Sequence, residues 1–197
     1  MSVQPNPGNP IDAVHSGLST NDRSELSKAV ADVLADTYVL LIKTHVYHWN
    51  VVGPLFVPVH QLLEVHYKDL FSAADELAER IRGLGQLAPI SFGKDLLPRS
   101  DVEEEKADRS ASAMIKQLIE DHEEITRRIR GVSANAADRK DFVTHDLLNG
   151  RLAFHEKAIW MLRAIVAEDM TSAKVVKSSS HSEPNGVSDV VRPGRAS

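Results

Sequence analysis

The 197 residues include no cysteine. That excludes disulfides and thiolate metal sites, and leaves His, Asp and Glu to carry any metal chemistry. No apolar run approaches the roughly 18 residues of a membrane span, and no basic N-terminal region leads into an apolar stretch. A cytoplasmic protein without a membrane partner is expected. A global nucleic-acid footprint is missing too: the formal net charge is -5, so polyanion binding would have to be local to a basic segment. No stretch reads convincingly as a strand. No internal repeat of fixed period is visible either, which counts against a solenoid of helix pairs.

What remains is helical. Residues 1–20 carry Pro5, Pro7, Pro10, Gly8 and Gly17 and no Lys or Arg, the composition of a flexible tail. Ser19 or Asn21 can cap a first helix in which Val30, Leu34, Thr37, Leu41, His45 and His48 recur at steps of three and four. Gly53 and Pro54 stop it near Trp49. A second helix is predicted from Pro58 to about Gly85. A long connection follows over 86–100, with a short helix inside. Asp101 or Ser100 can cap a third helix, acidic in its first turn and running to Gly131. After a break at GVSANAADRK, a fourth covers roughly Arg139 to Asp169. Residues 171–197 read as a second flexible tail, so the folded domain is expected over 21–170. Four amphipathic helices with one long connection, between the second and third, predict an all-α, ferritin-like four-helix bundle.

The stretch HWNVVGPLFVPVHQLLE, His48 to Glu64, places two histidines and an acid around the break between the first two helices. On a helical wheel with His60 at zero, Leu63, Leu70, Leu77, Ile81 and Leu84 gather between about 240° and 300° and form the core side. Glu64, Asp75 and Glu79 share an arc of about 100° with His60, and Phe71 and Ala78 lie on it as well. A purely solvated face would not be expected to include these, so something should cover the arc. Glu64 and Asp75 stand about 16 Å apart along the axis, whereas a metal ligand sits about 2 Å from its ion. One helix cannot close both ends on one metal. Two copies packed antiparallel about a two-fold axis near residue 70 can, because His60 and Glu64 of one then meet Asp75 and Glu79 of the other. His48 swings beside His60 through the short connection. Two imidazoles and several carboxylates suit ferrous iron, and would also accept zinc, manganese or cobalt.

HWNVVGPLFVPVH, LLE, DELAERIRGLG and, near the end, HEKAIWMLRA resemble the Dps proteins, the miniferritins named as DNA-binding proteins from starved cells. The register of His48, His60, Glu64, Asp75 and Glu79 matches that family's ferroxidase pattern, with Glu64 where many members carry Asp. The resemblance implies a homododecameric cage with iron sites at its two-fold interfaces. It further implies oxidation of Fe(II), with hydrogen peroxide the commonly preferred oxidant, storage of the ferric product as mineral, and protection of DNA from oxidative damage. Nucleoid association comes with it. The alternative is a nucleoid-compacting DNA-binding structural protein with a vestigial iron site. Against DNA stands the N-terminal tail without a basic residue; in the C-terminal tail Lys174, Lys177, Arg192 and Arg195 exceed Glu183 and Asp189 only slightly.

Other residues invite plainer readings. His45, one turn before His48, is balanced between a supporting or transient ligand and core. His66 reads as packing or interface. His155 and Glu156 are adjacent and so do not share a helix face. Trp160 reads as core or interface, and Trp49 as a neighbour of the iron able to quench a stray oxidising equivalent. Asp141 and Asp146 fall where the family lines its iron-entry pores, although acids at a helix start are ordinary.

Overall fold

A computed structural model describes residues 14–102 and 110–167. The expected tails therefore lie largely outside the described residues, including all four basic side chains of the C-terminal segment. Four helices carry the fold: α1, Thr20–Asn50; α2, Phe56–Gly83; α3, Ala111–Asp138; and α4, Phe142–Ile165. No strand occurs among the described residues. Ser19 caps α1 by accepting from the Asp22 amide, as expected. In α2 the start moves two residues earlier than Pro58, which becomes a first-turn residue where its missing N–H costs nothing.

Two boundaries differ from expectation in instructive ways. Helix α3 begins at Ala111 on a Ser110 cap, not at Ser100 or Asp101. The acidic run DVEEE lies partly outside the described residues; Ser100 and Asp101 instead serve the connection. At its other end α3 runs through Gly131 to Asp138. A mid-helix glycine costs about 1 kcal/mol, and the burial of Ile129, Ser133 and Ala136 around it offsets that. The helix stops only where Lys140 adopts a left-handed conformation, φ 60°.

Contacts between helices fix their directions. Lys43 meets Asp121, Tyr47 meets Gln117 and Asp36 meets Arg128, so α1 and α3 run antiparallel. Arg80 with Asp141, and Arg151 with Asp69, set α2 antiparallel to α4. The short turn at Gly53 makes α1 and α2 a hairpin. Helices α2 and α3 therefore run parallel, and the long connection crosses the bundle, as the ferritin-like topology requires. Buried Asp36 anchors this connection: it accepts from Ser100 Oγ at 2.9 Å, the Asp101 amide at 2.8 Å and Arg128 at 2.8 Å. Burial pushes its carboxyl up, against those bonds.

The core contains Val30, Leu34, Leu41, Leu63, Leu70, Leu77 and Ile81 as the spacing predicts, but a polar layer crosses it. Lys43 and Asp121 pair at 2.7 Å, both buried. Beside them His66, His122 and His155, from three different helices, meet in the interior; His122 and His155 share a 2.8 Å hydrogen bond between their Nδ1 atoms. Since each neutral ring carries one proton, one Nδ1 donates and the other accepts. Burial lowers all three histidines, His66 to about 4 and His155 to about 3, and Arg151 adds to the effect on His155.

Two stability predictions follow from this layer and this anchor. The folded values of His122 and His155 lie below the unfolded value of about 6.5, so the unfolded chain binds more protons as the solution turns acidic. Stability is then full above pH ~6.5 and falls toward pH ~4. Urea midpoints measured across this range should fall for the native chain, and His155→Gln should flatten the slope by about one proton, or about 1.4 kcal/mol per pH unit; an unchanged slope would contradict the buried neutral pair. Asp36→Ala leaves Arg128 short of its buried partner and should cost about 3 kcal/mol, read as a lower unfolding midpoint.

Candidate metal centre

The turn between α1 and α2 is tight because Gly53 takes φ 93°, a left-handed conformation that a side chain would strain. It returns the chain so that the rings of His48 and His60 stack, centroids 3.8 Å apart and 18° from parallel. Their hydrogen bonds are reciprocal. His48 Nδ1 lies 2.8 Å from the His60 carbonyl, and His60 Nδ1 lies 2.8 Å from the His48 carbonyl. A carbonyl can only accept, so both Nδ1 atoms carry the proton. In the neutral rings both Nε2 atoms then present lone pairs, the arrangement typical of imidazole ligands whose other nitrogen is held by the backbone.

Around this pair lies an aromatic stack. His45 sits 4.2 Å from Tyr67 and 4.2 Å from Trp49, and Tyr67 meets His48 edge-on at 5.2 Å. His45 thus packs between two rings, one turn from the pair, which accounts for its half-buried state. Glu64, one turn after His60, is ion-paired with Lys68. That hydrogen bond, with Lys68's charge, lowers the Glu64 carboxyl, while Lys68 is raised in return.

Asp75 and Glu79 stand at the opposite end of the same face, both exposed. Between the two groups lies Phe71, 65% exposed, with Val65 also open. Among the described residues, no three His, Asp or Glu side chains of the protomer are placed to hold one ion. The structure therefore brings His48 and His60 together, keeps Glu64 one turn along α2 with its carboxylate on Lys68, and leaves Asp75 and Glu79 at the far end of the helix.

Other candidates resolve differently. Asp141 is buried as the N-cap of α4, accepting from the Thr144 amide at 3.1 Å and from Arg80 at 2.8 Å. Burial opposes its charge, yet the bonds from Thr144 and Arg80 hold its carboxyl below the usual range. Its side chain is committed to the bundle, as cap and as the partner of Arg80. Asp146 is exposed. Trp160 is not core; it is 67% exposed on α4. Sequence reasoning passed over Lys68, although its i, i+4 spacing from Glu64 is that of a helix ion pair, and over His122, since nothing in the linear spacing pairs positions 33 residues apart.

The comparisons agree with this architecture. A family model for the ferritin-like domain matches residues 27–170. A low temperature-induced protein of Nostoc sp. is 38% identical, over 78% of this chain and 86% of its own length. DNA protection during starvation protein 2 of Bacillus anthracis is 34% identical over 72% of this chain and 99% of its own. A crystal structure of a Dps protein from Vibrio cholerae O1, titled as a member of the ferritin-like diiron-carboxylate superfamily, superposes with a TM-score of 0.74 at 28% identity, covering 81% of this chain and 99% of that one.

The chain belongs to the Dps family of ferritin-like proteins.

Membership directs attention to where a metal can sit in a Dps bundle of this sequence. Many ferritin-like carboxylate proteins hold their metals inside the bundle, on inward acids from all four helices. Here the inward layer holds Lys43, Arg151 and three neutral histidines, and Asp121 is paired with Lys43. Cations in that layer oppose a dication. Outside that layer, buried His48 at the end of α1 and half-buried His60 of α2 present two imidazole lone pairs, and α2 carries three carboxylates toward its two ends, donor types that suit Fe(II) and equally zinc or manganese.

The tautomer can be read directly. Nitrogen-detected NMR at pH 7.5 should find His48 and His60 protonated at Nδ1, and added Zn²⁺ should shift Nε2 while leaving the Nδ1 proton in place. Protonation at Nε2 in the metal-free protein would contradict the arrangement.

Proposed function

We propose that the protein is a ferroxidase and iron-storage protein, with iron as its substrate, and that each centre is completed by a second copy of the chain. The carrying observation is the division of one exposed helix face into two ligand groups too far apart for a single ion. His48, His60 and Glu64 of one subunit would meet the partner subunit's Asp75 and Glu79. Phe71 and Val65 would be covered by the same contact, which explains why apolar side chains share a face with acids. The assembly favoured is a homododecamer with such contacts at its two-fold axes. The family resemblance and the closed symmetry of most oligomers support it.

The chemistry asked of these residues is modest. Two ferrous ions give one electron each to hydrogen peroxide, which takes two protons and leaves as two waters. The imidazoles bind Fe(II) through Nε2 while the backbone carbonyls keep them oriented. The carboxylates gain affinity as the ion gains charge, which favours the ferric product. The product then passes to mineral in the cage, and with iron and peroxide consumed together DNA is spared radical damage. A nucleoid-compacting protein with a vestigial iron site is the rival reading. No helix among the described residues is long and apolar enough to cross a membrane, in keeping with a cytoplasmic place for either.

A mixing experiment tests the shared centre. His60→Ala and Asp75→Ala each should abolish the ferric absorbance rise when peroxide follows anaerobic Fe(II). Co-refolded at equal amounts, they should regain roughly a quarter of native activity, because about half of random pairs are mixed and each mixed pair has one intact site of two. No rise in the native protein would favour the structural rival. Native activity without recovery in the mixture would place each centre within one subunit.

A further inference from the structure

Lys68 lies on the ligand face of α2, at about 80° on the wheel that puts His60 at zero and Asp75 at about 60°. Its ammonium donates to Glu64 Oε1. Other basic side chains nearby on α2 are engaged elsewhere: Arg80 Nη2 bonds Asp141 at 2.8 Å, and Arg82 Nη1 bonds the Gln86 carbonyl at 2.7 Å. Lys68 is the cation bonded to a candidate ligand.

We infer that Lys68 is the resident counter-cation of the metal-free centre, and that an arriving dication binds by displacing it. This rests on the shared-centre reading above. In that reading Glu64 of one subunit faces the partner subunit's Asp75 and Glu79, so three carboxylates converge without a metal. Like charges across a contact destabilise it. Lys68 stands one turn, about 5 to 6 Å along the axis, from Glu64, and with the two-fold near residue 70 it is equally far from the partner subunit's Asp75. One ammonium on a flexible stem can thus serve carboxylates from both subunits.

The exchange is physically easy. Lys68 is 63% exposed and Glu64 42%, so the pair is weak and the displaced ammonium is rehydrated at once. A buried arginine fork would hold the acid too firmly to release it. Lys68 therefore works in two opposed directions: it steadies the empty interface and it competes with the ion that fills it.

An ordinary helix-surface pair would show neither effect on assembly nor the restoration by arginine. The test uses the full chain with Zn²⁺, which binds without redox chemistry. Isothermal titration should show Lys68→Met binding Zn²⁺ roughly two- to fivefold more tightly than the native protein, the span of an exposed ion pair. Sedimentation of the metal-free proteins should show the Lys68→Met assembly dissociating at higher protein concentration than native, and Lys68→Arg should return both readings toward native. Unchanged Zn²⁺ affinity, or a metal-free assembly as stable as native, overturns the role of Lys68. A native protein that binds no Zn²⁺, or that runs as a monomer, overturns the shared centre itself.

Discussion

A straight α-helix cannot bring its own two ends together. Helix α2 is 28 residues long, and at about 1.5 Å per residue its two acidic groups are held well beyond the reach of any single ion. Everything proposed for the chemistry follows from that rigidity. A flexible loop with the same residues could fold around a metal within one subunit; a helix locked into a bundle needs a second helix. In the proposed contact the same stiffness accounts for the mixed face, with Phe71 between two polar ends: two copies in register would cover apolar area at the middle and meet through donors at the ends.

The polar layer inside the bundle is the counterpart of this arrangement. A bundle core ordinarily gains from apolar contact alone, yet here Lys43, Asp121, Arg151 and three histidines lie within it. Buried ion pairs are weak sources of stability because desolvation offsets attraction, so the layer is better understood as fixing which helices adjoin. Lys43 to Asp121 sets α1 on α3, and Arg151 to Asp69 sets α4 on α2. With cations where many ferritin-like carboxylate bundles hold their metals on inward acids, the interior suits a dication poorly.

Much of this was legible in the chain before any coordinates. Periodicity in α1 and α2 picks out the core side because both helices are long and their apolar residues regular, and on α2 it separates that side from the face of His60, Glu64, Asp75 and Glu79, while Gly53 with Pro54 marks the hairpin. Failures have local causes. Gly131 looked like a stop, but its neighbours pack too well for one glycine to end the helix. Ser100 and Asp101 looked like a cap, because a sequence shows that an acid can cap and not that Asp36, 65 positions away, claims the Asp101 amide. Asp141 fits both a pore and a helix start, and its bonds to Arg80 and Thr144 make the helix-start role plain. His66 reads singly as packing or interface and His155 as structural, while His122 carries no signal of its own; their meeting depends on three helices converging.

The crossed bonds between His48 and His60 carry a consequence of another kind. Each imidazole is aimed by the other residue's main-chain oxygen, not by a neighbouring side chain. Codon changes elsewhere can alter what surrounds the pair, but none can delete a carbonyl. The aim of both rings is thus inherited from the hairpin's path, and divergent relatives that preserve that path would keep it without retaining any particular supporting residue.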